Sequence, residues 1–439
     1  MQRHRAESHA GRGGAGSAQA AAWRRREREP PGGVKWGRAR PPPPVSCLRE
    51  PPSGRQEEIG VAEAVKEYDG AIDRGLEGVV ACHTRISAIH GTTLIYRGYT
   101  IEDLAANASF EEVAFLLWYG HLPSRKELAD FEHALREKMA LPPRSFGWFH
   151  GLPTNVHPMD FLHAVVAGLS LHDPDANVLT DEATRRKSIR MTARFGTIVA
   201  AYHRVRSGQW PLQPQPEKGI AWNFLYMLFG KEPSPERVRQ FDTCLILHAD
   251  HELNASAFSA RVTSSTESGI YSSIMAAIGT LKGPLHGGAN EQVMKMLLEI
   301  GSMNEIEPFL KDALAEKRKV MGFGHRVYKE GDPRAKILRA MSEKITREAG
   351  QSHLYDMSTR IDEVMQREKN LLPNVDFYSA TVYHAMGIPH DLFTPVFAMS
   401  RVAGWCAHVM EQYANNRIYR PRGRYDGPTG LVYQPIDRR

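Results

Sequence analysis

From Ile101 onward, segment after segment of this chain carries apolar residues at three- and four-residue steps and closes near Gly or Pro, and this periodicity restricts the fold more than any other feature. FEEVAFLLWYG, RKELADFEHALREKMA, HPMDFLHAVVAGLSLH, a long stretch from Thr180 to Gly208, and NFLYMLFG all read as helices joined by short loops. No repeated strand pattern alternates with them, so the chain is expected to be all-α and not a doubly wound sheet. One or two short strands are expected only ahead of Ile101, where GLEGVVACHTRISAIHGTTLIYRGYT is β-branched and turn-rich. A length of 439 residues with 42% hydrophobic content suffices for two domains and a sizeable core.

The formal charge of +6 raises the question of a nucleic-acid or membrane partner. Its location answers it. Residues 1–54 hold ten Arg and one Lys against four Glu, a net +7 that leaves −1 for everything from Arg55 onward. A nucleic-acid footprint should lie on the folded part, so that class is excluded. The same 54 residues contain eight Gly and eight Pro, including the run Pro41 to Pro44, and are expected to be a disordered basic tail. Arg24 to Arg28 loosely suggests an organellar transit peptide, which the acidic residues and polyproline run weaken. An over-extended translation start would look the same. No apolar signal region and no run of about 18 apolar residues is present, so neither secretion nor a membrane partner is expected. Cys47, Cys82, Cys244 and Cys406 lie far apart without CxxC spacing, which fits free thiols in a cytoplasmic protein.

Chemistry-bearing residues gather in turns. GPLHGGANEQVMKMLLEIG, residues 283–301, sets His286 in a Gly/Pro-tight turn before a helix whose start favours nearby negative charge. An imidazole here could donate a hydrogen bond to a developing oxyanion, or could simply be satisfied by backbone. VMGFGHRVYKEGDPR, residues 320–334, and LLPNVDFYSA, residues 371–380, each place a further polar group in a turn. Asp376 by itself would serve as the N-cap of a helix closed by Gly387. Arg334, in GDPR, would by itself be a surface residue at a helix start, and Arg420, in RPRGRY, a solvated charge. Arg401 lies in FAMSRVAGW, in a helix expected to begin after Thr394-Pro395, with Phe397 and Trp405 four residues to either side on one stripe. A lone guanidinium in that apolar setting requires an anionic partner, either a structural carboxylate or a bound acid. HADHELNASAF, residues 248–258, resembles a metal motif, with His248 and His251 expected on one helical face; no second ligand cluster accompanies it, so no metal is expected.

Taken in order, these five segments resemble the citrate synthase family in its dimeric bacterial and archaeal form, from about Gly75 to the C-terminus. The resemblance implies a two-domain helical fold, with a large domain from residues 55–280 and 382–439 and a small mobile domain from residues 281–381. It implies that acetyl-CoA and oxaloacetate are the substrates, with no tightly bound cofactor and no metal. Asp376 then corresponds to the base that takes the methyl proton, His286 to the donor toward the thioester carbonyl, and His325 to the histidine that polarises the oxaloacetate carbonyl. His251, Arg334, Phe397 and Arg401 correspond to the contacts to the dicarboxylate, with Arg420 supplied to the site by the other subunit of a homodimer. Arg326 and Lys329 are candidates for the CoA phosphates. A 2-methylcitrate synthase, using propionyl-CoA with the same residues, is the nearest alternative; HRVYKEGDPRAK looks more like the citrate synthases. A helical scaffold or sensor without turnover is the alternative of another class, and retention of His286, His325 and Asp376 weighs against it.

Overall fold

The structure is a computed structural model that describes residues 72–149, 153, 155–324, 328 and 330–439. The basic tail with Cys47, and the candidate residues His325, Arg326 and Lys329, lie outside the described residues. Fifteen α-helices and three short strands make up the described chain, in keeping with the all-α expectation. Among these residues no helix is long and apolar enough to cross a membrane.

Three strands, rather than one or two, precede the helices. β1 (Ser87–His90), β2 (Thr93–Tyr96) and β3 (Tyr99–Thr100) form an antiparallel meander, with Ser87 opposite Tyr96 and Tyr96 opposite Tyr99. The second turn places both central residues at positive φ, Arg97 at 50° and Gly98 at 98°, which matches the right-handed twist of the flanking strands. Arg97 is held there by bonds from Nε and Nη2 to the Leu117 carbonyl, 3.1 and 2.6 Å. Each strand is short and leans on helices, so its pattern along the sequence is weak.

The helices follow the periodicity closely. α1 (Ile101–Asn107), α2 (Phe110–Tyr119), α3 (Arg125–Met139), α4 (Pro158–Leu171), α5 (Asp181–Arg206), α6 (Ile220–Phe229), α7 (Pro235–His248), α8 (Ala255–Ser264) and α9 (Ile270–Leu281) come first. Capping boxes at Ser109/Glu112 and Ser124/Glu127 fix the starts of α2 and α3. α10 (Ala289–Ile300), α11 (Ile306–Ala315), α12 (Pro333–Glu348), α13 (Ser352–Lys369) and α14 (Val375–Ala385) pack mainly on one another, α14 against both α10 and α12. The last helix, α15 (Phe393–Ala414), returns to the first group and packs on α2, α5, α7, α8 and α9.

Every residue of α15 from Phe393 through Met410 is buried, so this helix is the axis of its group. It begins at Phe393 with Leu392 at the cap position, not after Thr394-Pro395 as expected. A short 3-10 turn at His390–Leu392 feeds directly into it, and Pro395 is tolerated in a first turn whose N–H groups lack helical partners. Thr394 donates its hydroxyl to the Gly287 carbonyl instead of capping the helix.

Gly404 marks the closest approach to α15. A Cβ there would press on the Ala249 carbonyl oxygen and come within 2.5 Å of Asp250 Oδ1. In an exposed helix, replacing Gly by Ala stabilises by about 1 kcal/mol; here the added methyl must move buried backbone. Gly404→Ala is expected to lower the unfolding free energy by about 1 to 3 kcal/mol, read as a reduced denaturant midpoint. A stabilised variant would show that the contact is loose.

Candidate active site

Two guanidinium groups form the floor of the site. Arg401, midway along α15, is 1% exposed. Its Nε donates to the His248 carbonyl at 2.7 Å and its guanidinium lies over the Phe397 ring, 4.7 Å from the centroid. No carboxylate stands at ion-pair distance from it among the described residues. Burial pulls its pKa down to about 10, against the opposing pull of Asp250. Its terminal amino groups are therefore available to an anion that displaces little water.

Arg334 differs. It is the second residue of α12 but is 2% exposed, which overturns the surface reading. Asp332 grips it in two places, at 3.0 Å from Nε and 2.7 Å from Nη2. Burial alone would lower the arginine's pKa; the Asp332 pairing outweighs it and holds the group above its ordinary value.

Asp376 faces these cations from α14. It is not the N-cap: Asn374 holds that position and accepts from the Asp376 N–H at 3.0 Å, so the Asp376 carboxylate is free of capping duty. Its Oδ1 is buried with no hydrogen-bond partner among the described residues. Desolvation pushes its pKa up to about 7; Asp332 adds to the rise, while Arg334 and Arg401 oppose it. A bare carboxylate oxygen near neutrality is what proton abstraction requires.

Leading up to α14, residues 322–324 are clipped to residues 372–374. Gly324 N–H donates to the Leu372 carbonyl at 3.0 Å and Asn374 N–H to the Gly322 carbonyl at 2.9 Å. Gly322 sits at φ 83°, and a Cβ there would meet Phe377 Cβ at 2.9 Å, so only glycine permits this approach. Gly324 therefore lies beside the segment that leads into α14.

His286 lies in the turn before α10, whose cap position is Gly288. The backbone N–H of Ser256, near the start of α8, donates to its Nε2 at 3.3 Å, and the Ser256 hydroxyl lies 2.8 Å from the same atom. A backbone amide can only donate, so Nε2 is the acceptor and Nδ1 carries the proton. Ser256 is itself fixed: its Oγ accepts from Trp405 Nε1 at 3.0 Å and lies 2.8 Å from Asn254 Oδ1, so its one proton is shared between Asn254 Oδ1 and His286 Nε2. Desolvation, assisted by Arg401, lowers the His286 pKa to about 3, so the ring is a neutral donor throughout the physiological range.

His248 and His251 do not share a helical face. α7 ends at His248, and His251 lies in the loop before α8. The His248 Nδ1–H donates to the Cys244 carbonyl at 2.7 Å, leaving Nε2 a buried acceptor without a partner among the described residues. His248 also packs edge-on to Phe397, ring centroids 4.3 Å apart. His251 Nε2 lies 3.2 Å from the Tyr328 hydroxyl. Among the described residues no group of three His, Cys, Asp or Glu side chains could hold a metal ion. The small sheet sets this loop: Tyr96 donates its hydroxyl to the Asp250 carbonyl at 2.6 Å, Ser87 donates to the Asp250 carboxylate, and Glu252 N–H donates to Ser87 Oγ at 2.8 Å.

Charge interactions and contacts thus link His286, Arg334, Asp376, Phe397 and Arg401 into one buried cluster, with His251 joined to it through Tyr328. Arg420 does not join them: it is exposed on the extended segment after α15. Ser256 and Asp332, which hold His286 and Arg334, were not singled out by the sequence, and Trp405 was read only as part of the Arg401 stripe. Only Asn254, a cap residue ahead of the apolar run ASAF, left a local signal for the Ser256 cluster.

Comparison with known proteins adds the context. The family model described as citrate synthase, C-terminal domain, matches residues 75–422. The chain is 54% identical over 367 residues to citrate synthase 2 of Bacillus subtilis (strain 168), covering 83% of this chain and 99% of that protein. It is 42% identical over 383 residues to 2-methylcitrate synthase 1 of Corynebacterium glutamicum, covering 84% and 99%. The solved citrate synthase of Thermoplasma acidophilum, a ternary complex with carboxymethyl coenzyme A and oxaloacetate, superposes with a TM-score of 0.80 at 34% identity, covering 84% of this chain and 99% of that one.

The protonation pattern is directly testable. Asp376 is expected to titrate near pH 7 in the free protein, seen as a protonated-carboxyl infrared band that is lost as pH rises and is absent from Asp376→Asn. Because its folded pKa is raised, the stability it contributes is fully present below 3.8 and is lost as pH rises through about 7. Loss of the band in the ordinary carboxylate range would contradict the burial of this group.

Proposed function

Because the chain belongs to the citrate synthase family, we propose that its cleft joins acetyl-CoA to oxaloacetate, with Asp376, His286 and His325 as the reacting side chains. The enzyme is an acyltransferase of the class that turns an acyl group into an alkyl group on transfer. The observation that carries the assignment of roles is the buried, unpartnered Oδ1 of Asp376 facing a floor of cations.

The steps follow from this chemistry. Asp376 takes a proton from the acetyl-CoA methyl group. His286, neutral and protonated on Nδ1, donates to the thioester oxygen, so an enol forms without full negative charge. The enol carbon attacks the carbonyl carbon of oxaloacetate, whose oxygen His325 polarises. Water then cleaves the citryl thioester to release citrate and CoA. The dicarboxylate is held by Arg401, whose terminal N–H groups are free, by Arg334 and by His251, with Phe397 packed against it. Each charge that develops is met by a named side chain, with no step assigned to a metal or a tightly bound cofactor.

Arg420 completes the carboxylate set from a second copy in a homodimer. Arg326 and Lys329 hold the CoA phosphates. The small domain, residues 281–381, closes on the large one to expel water during reaction. The reducing cytoplasm is the compartment, where Cys82, Cys244 and Cys406 remain thiols.

Free thiol release with oxaloacetate, offering acetyl-CoA and propionyl-CoA in parallel, tests the proposal. Acetyl-CoA is expected to turn over faster; preference for propionyl-CoA would move the chain to 2-methylcitrate synthesis. Asp376→Asn is expected to lower kcat by at least about 100-fold, whereas Arg401→Leu should raise the oxaloacetate KM by at least about tenfold. No thiol release from folded protein with either substrate would sink the enzymatic reading.

A further inference from the structure

Building on the reading that Arg334 anchors a substrate carboxylate and Asp376 takes the methyl proton, we propose that Asp332 is the positioning residue that sets both. Its side chain is completely buried. Oδ1 accepts from the Arg334 backbone N–H at 3.0 Å and from Arg334 Nε at 3.0 Å. Oδ2 accepts from Arg334 Nη2 at 2.7 Å and from the Val375 N–H at 3.1 Å.

Among the described residues, four donors from the starts of two helices converge on this carboxylate. Capping α12 would need a single oxygen; the second reaches out of its own helix to the first residue of α14, directly before Asp376. Asn374 secures the next N–H of that helix, so both initial amides of α14 are fixed and the base points where they direct it. On the arginine side, the two-point grip sets the guanidinium plane and leaves Nη1 for a ligand. An amide in place of the carboxylate would turn an N–H toward one of these donors, and the buried mismatch would loosen one helix start or the other.

The charge of Asp332 has a second effect. Among the described residues, the ionisable groups facing Asp376 are Arg334 and Asp332 at the start of α12, Arg401 from α15 and Tyr383 on its own helix. Asp332 offsets the pull of the arginines on the base, so an arginine that anchors substrate does not draw the base deep into the acid range. Removing the Asp332 charge lowers the Asp376 pKa.

The experiment compares Asp332→Asn, Asp332→Glu and Asp376→Asn in the full-length protein, by steady-state kinetics over pH. Asp332→Asn is expected to raise the oxaloacetate KM by at least about tenfold, leave the acetyl-CoA KM near wild type, and move the acidic limb of kcat to lower pH. Asp332→Glu keeps the charge but displaces the arginine, so its limb stays in place while its oxaloacetate KM rises. A purely structural role would reduce the amount of folded enzyme and move neither reading. Wild-type KM and limb in Asp332→Asn overturn the proposal. If that variant does not fold, Asp332→Glu decides: a raised oxaloacetate KM supports it and a wild-type KM overturns it. Undiminished turnover in Asp376→Asn would remove the underlying function reading and the proposal with it. An inactive Asp376→Asn beside an unaltered Asp332→Asn removes only the role of Asp332.

Discussion

Burying two guanidinium groups in one cluster is the constraint around which this structure is organised. Desolvating a cation costs several kcal/mol unless an anion accompanies it, and the chain supplies Arg334 with Asp332, while among the described residues Arg401 has no carboxylate at bonding distance. The buried Asp250 carboxylate acts on Arg401 without pairing with it, opposing the fall in its pKa. Burial in that setting has opposite consequences for the neighbouring groups. It raises the Asp376 carboxyl toward neutrality and depresses the His286 and His248 imidazoles to about 3. One base and one neutral donor emerge from a single environment, because desolvation always disfavours the charged form.

The scaffold serves that cluster by bringing rigid helix starts to it. Arg334 and Asp376 stand at the second positions of α12 and α14, and Ser256, which orients His286, stands at the second position of α8. Helix starts hold unpaired N–H groups, so each polar side chain near them is located by hydrogen bonds rather than by packing alone. Arg401 and Trp405 come instead from the middle of α15, the most enclosed element of the fold, where neither can move without disturbing the core.

What could be read from the sequence was local. The segment expected from Thr180 to Gly208 is the helix Asp181–Arg206, because apolar periodicity and its end signals are properties of neighbouring residues. The turn histidine His286 and the arginine stripe of Phe397 and Arg401 were legible for the same reason. Partnerships across the chain were not. Asp332 reads as part of an ordinary helix start, and its bond to Val375 spans 43 residues. Tyr96 lies in a weak strand pattern, yet its hydroxyl fixes Asp250 from 154 residues away. Asp376 as a cap was a sound local inference that failed because Asn374, two residues earlier, fills the same position.

The central claim is that Asp376 removes the methyl proton, a step that can be observed without the condensation that follows. Exchange of the acetyl-CoA methyl protons with deuterated water, followed by proton NMR in the presence of an unreactive dicarboxylate that fills the oxaloacetate site, isolates it. The account predicts enzyme-dependent deuterium uptake in the wild-type protein and none above background in Asp376→Asn. Uptake at the wild-type rate in the variant would show that another group is the base.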